Sequence, residues 1–200
     1  MTAVGPVVLV TQVGAAAGSG VVAAALACSG AEPDRAGLLI EISGARPPRP
    51  SLIATAAARA LEERLVVHLP EAGIASRGLL CRLNLPADSS GLDGIAAALP
   101  AVRDSVVVVH LPPSLLQAAL DDPRIRPSAA LLRADLGADR ALTALAARAL
   151  IERSLRVVVL KRPLGWLVAR RALIGAPSGG GGLPVRVRER LLGGDPAGRL

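Results

Sequence analysis

The sequence contains neither Phe nor Tyr, and Trp166 is its one tryptophan. Without tyrosine, the phenolic acid–base groups that many enzymes use are excluded. Of the 200 residues, 52% are nevertheless apolar. A core large enough for one compact domain must therefore be built from Val, Leu, Ile and Ala. That composition is typical of valine-rich parallel strands covered by alanine- and leucine-rich helices.

Cysteine and histidine are also scarce. Cys28 and Cys81 are too few for a disulfide framework, and they have no histidine pair at zinc-ligand spacing. We therefore expect no metal site and a cytoplasmic protein, with membrane association only through partners. Residues 1–31 carry no charged side chain. We expect neither a signal peptide, which needs a positively charged leading segment, nor a membrane span, because this stretch is rich in glycine.

Lysine is nearly absent, since Lys161 stands against 22 arginines, and the formal net charge is +7. The excess is concentrated in residues 161–190, which contain seven basic side chains and one acidic one. A basic surface favours contact with phosphates or anionic lipid. Charges scattered over several elements are also typical of a solvated surface, which we expect here. Weak contact of this C-terminal region with an anionic membrane or nucleic acid stays open.

Apolar runs and helical patterns alternate along the chain. The predicted strands are Val7–Val13, Gly37–Ser43, Leu65–Leu69, Gly78–Leu83, Ser105–Leu111, Ala129–Ala134 and Leu155–Lys161. The predicted helices are Gly20–Ser29, Ser51–Arg64, Leu92–Leu99, Ser114–Leu120, Ala138–Arg153 and Leu164–Ile174. This alternation predicts an α/β fold in three layers, a doubly wound and mostly parallel sheet with helices on both faces.

Residues 1–177 are predicted to form this α/β domain. Residues 178–200 are predicted to add a glycine-rich joint, Ser178–Gly182, and a basic C-terminal helix ended by Gly193, within the same domain. The pentapeptide VVHLP occurs at 66–70 and again at 108–112. We interpret both copies as strand ends leaving the sheet.

The helix Ala138–Arg153 carries the clearest pattern. Asp139 is placed to cap its first turn. Its apolar stripe is predicted to be Leu142, Leu145, Ala149 and Leu150.

The stretch VVLVTQVGAAAGSGVVAAALA, Val7 to Ala27, predicts a strand, a glycine-rich turn and a helix. Gly14, Gly18 and Gly20 let the backbone approach a phosphate, and the helix N-terminus offers free N–H groups. A P-loop also needs a lysine on the terminal phosphates and a hydroxyl on magnesium. Ser19 and Gly20 stand at those two positions. Loss of the lysine alone weakens binding roughly ten- to a hundredfold, and we expect no hydrolysis.

The segment GAAAGSGVVAAALA resembles, position by position, the deviant Walker A segment KGGxGKTTxAxxLA of the MinD/ParA (SIMIBI) ATPases. On that match Gly14 replaces the signature lysine, Gly18 keeps the glycine, and Ser19 replaces the second lysine. Downstream, AGLLIEISG is similar to the family's second strand, with Glu41 as the retained carboxylate. GLDGIAAALPAVRDSVVVVHLPPSL is similar to the stretch that leads through the Walker B strand, with His110 in place of the aspartate. LRVVVLKRPLG is similar to the strand that ends in the base-recognition asparagine, with Lys161 in its place.

The resemblance extends over residues 7–198 and implies a P-loop NTPase-like fold without catalytic residues. The pilus-assembly and localisation branch, the CpaE/TadZ-like proteins, contains members with degraded nucleotide motifs. A member of this kind is expected to be a non-catalytic assembly or localisation factor of a secretion, pilus or division system. It would act through protein partners and as a homodimer through a face near the glycine loop. Any residual ATP or ADP would bind the backbone at Gly18, Ser19 and Gly20.

The same glycines also fit the G-x-x-x-G-x-G turn of short-chain dehydrogenases. In that alternative the loop binds NAD(P), and Glu41 holds the ribose. The catalytic Tyr-x-x-x-Lys pair of that family cannot form, because the chain has no tyrosine. Serine-hydrolase chemistry at Ser19 is not expected, since G-x-S-x-G is not satisfied. His68 and His110 are interpreted as structural histidines.

Overall fold

The computed structural model describes residues 5–14, 18–43, 53–102, 105–134, 139–161, 166–176 and 185–193, with residues 166–168 described by their backbone alone. The strands are β1 (Val7–Val13), β2 (Gly37–Ile42), β3 (Gly73–Arg77), β4 (Leu80–Leu85), β5 (Val107–His110), β6 (Ala129–Ala134) and β7 (Arg156–Leu160). The helices are α1 (Ser19–Ser29), α2 (Ala56–His68), α3 (Ser89–Ala98), α4 (Pro113–Asp121), α5 (Arg140–Ile151), α6 (Trp166–Leu173) and α7 (Val185–Leu192). The predicted glycine joint at 178–182 lies outside the described residues.

The seven strands form one sheet in the order β3-β4-β2-β5-β1-β6-β7. Every neighbouring pair is parallel except β3 and β4. One face is covered by α2, α3, α4 and α5, and the other by α1, α6 and α7. The predicted α/β fold with a mostly parallel sheet and helices on both faces is therefore confirmed.

Helix α1 lies over the centre of the sheet and is buried along most of its length, from Val22 to Cys28. Its small side chains allow close approach: a Cβ on Gly37, at the start of β2, would lie 2.4 Å from the carbonyl oxygen of Ala27. Helix α6 packs against α1. A helix covered on both sides needs apolar residues all round, which explains why α1 shows no polar stripe.

The prediction of a strand at Leu65–Leu69 is wrong, because α2 continues to His68. The buried residues Ala58, Leu61 and Leu65 recur at helical spacing. Burial of that face outweighs the strand preference of Val66 and Val67, which stay 46% and 80% exposed. The strand of this region was missed. It is β3, which forms an antiparallel hairpin with β4.

The structure of α5 confirms the predicted cap and corrects the predicted apolar stripe. The Asp139 side chain accepts a hydrogen bond from the Ala141 N–H at 2.7 Å, as predicted. Leu142 and Leu145, however, are 55% and 66% exposed. The face that packs on the sheet is made by Thr143, Ala146, Ala147 and Leu150. Two alanines at the contact let the helix approach the sheet closely, which the larger leucines would prevent.

None of the helices in the described ranges combines the length and the hydropathy that crossing a bilayer requires.

Candidate functional site

The glycine-rich loop follows an interior strand. β1 lies between β5 and β6, and α1 begins at Ser19 directly after the loop. Gly14 and Gly18 have φ angles of +70° and +83°, a left-handed conformation that favours glycine. The strand and the helix predicted on either side of the glycine-rich turn are therefore present. Residues 15–17 lie outside the described part of the chain.

A row of polar side chains crosses the sheet beside this loop. Strand residues two apart share a face, and Val10, Leu39 and Val108 pack in the apolar cluster that contains α1. The same face therefore carries the polar residues near the carboxyl ends of the five central strands: Asn84, Glu41, His110, Gln12 and Arg133. The strand register places Glu41 opposite both Asn84 and His110, and Gln12 opposite Arg133.

Ser19, the first residue of α1, contacts two members of this row. Its Oγ lies 3.0 Å from Gln12 Oε1 and 2.8 Å from His110 Nε2, and the residue is only 4% exposed. The hydroxyl has one proton, which it donates to Gln12, so His110 donates from Nε2. His110 Nδ1 is then a buried acceptor without a hydrogen-bond partner. The residue at the expected lysine position is thus bonded to the residue at the expected aspartate position.

Gly20 lies beside Glu41, another predicted site residue, and beside His110, which was interpreted as a structural histidine. A Cβ built on Gly20 would lie 3.4 Å from Glu41 Oε1 and 3.5 Å from His110 Cε1. These are ordinary van der Waals distances, so the absent side chain leaves space for little more than one methyl group. The structure brings Ser19, Gly20, Glu41 and His110 together. Gly18 supplies the N-cap of α1 without a side-chain hydrogen bond.

The electrostatics of this cluster follow from burial. Burial raises the pKa of the Glu41 carboxyl above its usual range, and the nearby Arg82 guanidinium partly offsets that effect. Burial lowers the pKa of the His110 imidazole. His110 is therefore neutral near pH 7. Arg82 is positioned by a hydrogen bond to the carbonyl oxygen of Ala172 at the end of α6.

The contact between Ser19 and His110 does not make a serine-hydrolase site. A catalytic serine must donate its proton to the histidine, whose other nitrogen is oriented by a carboxylate. Here the Ser19 proton is donated to Gln12, and no carboxylate is bonded to His110 Nδ1. Ser19 is also buried, so a substrate would have no access to its hydroxyl.

Sequence reasoning missed Gln12, Asn84 and Arg133 as members of the row. The signal for Arg133 was available, because an arginine interrupts the apolar strand AALLRA. Lys161, the candidate from the base-recognition strand, lies exposed at the end of edge strand β7. His68 lies exposed at the end of α2. Among the described residues, no group of three or more His, Cys, Asp and Glu side chains could hold a metal ion.

We expect acidification to destabilise the fold through His110. Its folded pKa lies below the ordinary value of 6.5, so the unfolded state binds more protons between those two values. Stability is therefore lost as the pH falls from 6.5 through this window. The raised pKa of Glu41 has the opposite sign, because that carboxyl favours the folded state as the pH falls towards 4.5.

Melting temperatures recorded across this pH range for the wild type, His110→Gln and His68→Gln separate the two effects. His110→Gln should remove the loss, whereas His68→Gln, at the exposed histidine, should retain it. A loss that persists in His110→Gln would show that another group is responsible.

Comparison of the sequence with models of protein families and with curated protein sequences finds no match. The geometry of the site therefore carries the functional interpretation.

Proposed function

We propose that this chain is a non-hydrolysing relative of the MinD/ParA ATPases that serves as an assembly or localisation factor. The observation that carries the proposal is the Gln12–Ser19–His110 cluster. In an ATPase of this type, the loop and the neighbouring strand end bind phosphate and magnesium. Here the side chains at those places form hydrogen bonds with one another.

The charge of the cluster supports the loss of turnover. Charge that develops on a transferred phosphoryl group needs a cation close to it. Ser19 and a neutral His110 provide none. Glu41 adds a carboxylate whose raised pKa reflects its poor solvation. A triphosphate would have to displace the hydrogen bonds of Ser19 without gaining a cationic contact from Ser19 or His110.

The strand order favours this proposal over dinucleotide binding. In the dinucleotide-binding order 3-2-1-4-5-6, the strand that carries the ribose-binding acid lies directly beside the first strand. In this sheet β5 lies between β1 and β2. Glu41 is therefore opposite His110 and one strand away from the loop strand. NAD(P) binding with Glu41 on the ribose remains the second candidate, because Glu41 still borders Gly20.

The purified chain should not hydrolyse ATP. Phosphate release with magnesium should equal that of Ser19→Ala within error, because neither Ser19 nor the neutral His110 assists the reaction. A magnesium-dependent rate that Ser19→Ala abolishes would contradict the proposal. Calorimetric titration with ATP, ADP, NAD and NADP distinguishes the two candidates. Binding of a dinucleotide that Glu41→Gln weakens and His110→Gln does not would favour the second one.

The partners belong to the proposal as well. A scaffold that keeps its fold without turnover is suited to holding proteins of a secretion, pilus or division system. The exposed arginines of α7, Arg186, Arg188 and Arg190, offer a basic surface for an anionic membrane or nucleic acid. We propose a cytoplasmic protein that reaches the membrane through its partners.

A further inference from the structure

The two edges of the sheet differ in their protection. At the β3 edge, residues 53–55 pair with Gly78, which directly follows β3: the N–H of Thr55 donates to the carbonyl oxygen of Gly78, and the N–H of Gly78 donates to that of Ile53. At the other edge, β7 pairs with β6 alone among the described strands. An exposed apolar edge strand is a template for pairing with another chain. β7 has the sequence RVVVL and carries no proline or internal charge.

The register shows which backbone groups of β7 point away from the sheet. The backbone N–H of Arg156 donates to the carbonyl oxygen of Ser128, the residue that precedes β6 in the chain. Because the direction of the backbone N–H and C=O groups alternates along a strand, those of Val158 also point to β6, and those of Val157 and Val159 point outward. The outward groups are therefore two N–H and two C=O groups, separated by one residue.

We infer that β7 pairs with β7 of a second copy, antiparallel, about a two-fold axis at Val158. In this register Val157 of one copy lies opposite Val159 of the other. Each such pair exchanges two backbone hydrogen bonds, so all four outward groups on each copy are satisfied. The pairing is isologous and closes as a dimer. It does not depend on the function proposed above.

The side chains suit a second copy of the same chain. Arg156 and Lys161 fall opposite Leu160 and Leu155 of the other copy, so no like charges face each other. Valine lies opposite valine at the three central positions, a favourable cross-strand pairing. Val159 is 37% exposed and would be covered. On the same side of the sheet, α5 exposes the apolar side chains of Leu142, Leu145 and Ile151.

Cysteine cross-linking tests the register. Val158→Cys places two thiols at the non-hydrogen-bonded position of the two-fold, where the Cα atoms are about 4.5 Å apart and a disulfide can form. Cys28 and Cys81 are fully buried, and burial raises the pKa of their thiols to about 11 and about 12, so they contribute little background. Val157→Cys alone should cross-link poorly, and a mixture of Val157→Cys and Val159→Cys should cross-link well.

Sedimentation equilibrium of the full chain tests the dimer itself. Val159→Lys should raise the dissociation constant at least about tenfold, because the two-fold repeats the change. Val67→Lys, at an exposed position on α2, is the matched control and should dimerise as the wild type does. Circular dichroism checks that both variants are folded. A wild type that is monomeric at all concentrations overturns the inference, and so does a dimer that Val158→Cys fails to cross-link or Val159→Lys leaves intact.

Discussion

Gly175→Ala should lower the free energy of unfolding by about 2–5 kcal/mol. Gly175 follows α6 with φ at +67°, a conformation that costs an alanine about 1–2 kcal/mol. A Cβ at this position would also lie 2.0 Å from the carbonyl oxygen of Arg77. The backbone must move to relieve that contact, and overpacking of this kind costs about 1–3 kcal/mol more.

The surroundings of Gly175 show why a backbone shift cannot relieve the clash between an alanine Cβ and the Arg77 carbonyl oxygen at low cost. The Gly175 carbonyl accepts a hydrogen bond from the Leu79 N–H at 2.9 Å, which joins the end of α6 to the β3–β4 turn. At that turn Gly78 has φ at +58°, and its own Cβ would lie 2.3 Å from the Gly175 oxygen. Displacing either chain breaks this hydrogen bond.

Gly14→Ala is the matched control for this prediction. Gly14 has nearly the same φ, +70°, but a Cβ there would meet no atom of the described residues within 4 Å. It should therefore lose only the conformational part, about 1–2 kcal/mol. Urea unfolding followed by circular dichroism gives both values. Equal losses in the two variants would show that the contact with Arg77 contributes nothing.

Arg133→Met should cost about 2–4 kcal/mol, the second large effect. The Arg133 residue is 5% exposed, and its Nη1 donates to the carbonyl oxygens of Ala134, Leu160 and Lys161. It thus ties together the carboxyl ends of β6 and β7. A hydrogen bond from a charged group is worth about 1.5–3 kcal/mol. The loss of these bonds is partly offset because the variant no longer buries a charged guanidinium, and methionine retains the apolar volume.

Arg148→Met provides the comparison. Arg148 is 78% exposed and forms an ion pair with Glu152 one turn along α5, at 2.8 Å. Such a pair contributes about 0.3–0.5 kcal/mol. The difference between the two variants in urea unfolding therefore measures what burial adds. A loss at Arg133 as small as that at Arg148 would mean that water replaces the guanidinium.

Much of the fold was accessible to sequence reasoning. Most of the parallel strands are apolar runs, so six of the seven strands were predicted within two residues of their bounds. The exceptions were the end of α2 and strand β3. The run GIASR of β3 is short and weakly apolar, so it gives little signal in the sequence. Hydrogen bonds to β4 stabilise it more than its own side chains do.

The candidate site was predictable in its loop and incomplete in its surroundings. Glycine spacing identified Gly14 and Gly18, whose positive φ angles favour glycine, and Gly20, which lies in the first turn of α1. The hydrogen bond between Ser19 and His110 leaves none, since these residues are 91 positions apart. Only the placement of β5 directly beside β1 brings them together.

By itself, the sequence determined the alternation of strands and helices, the strand–loop–helix at the glycines and the terminal helix after residue 184, because each depends on residues close along the chain. Tertiary structure alone decided the order of the strands, the contacts of Ser19 and the face of α5 that is buried. The pentapeptide VVHLP shows the reason. At 66–70 it ends a helix and at 108–112 it ends a strand. Its local preference is the same in both places, and the free energy of burying its neighbours selects the conformation.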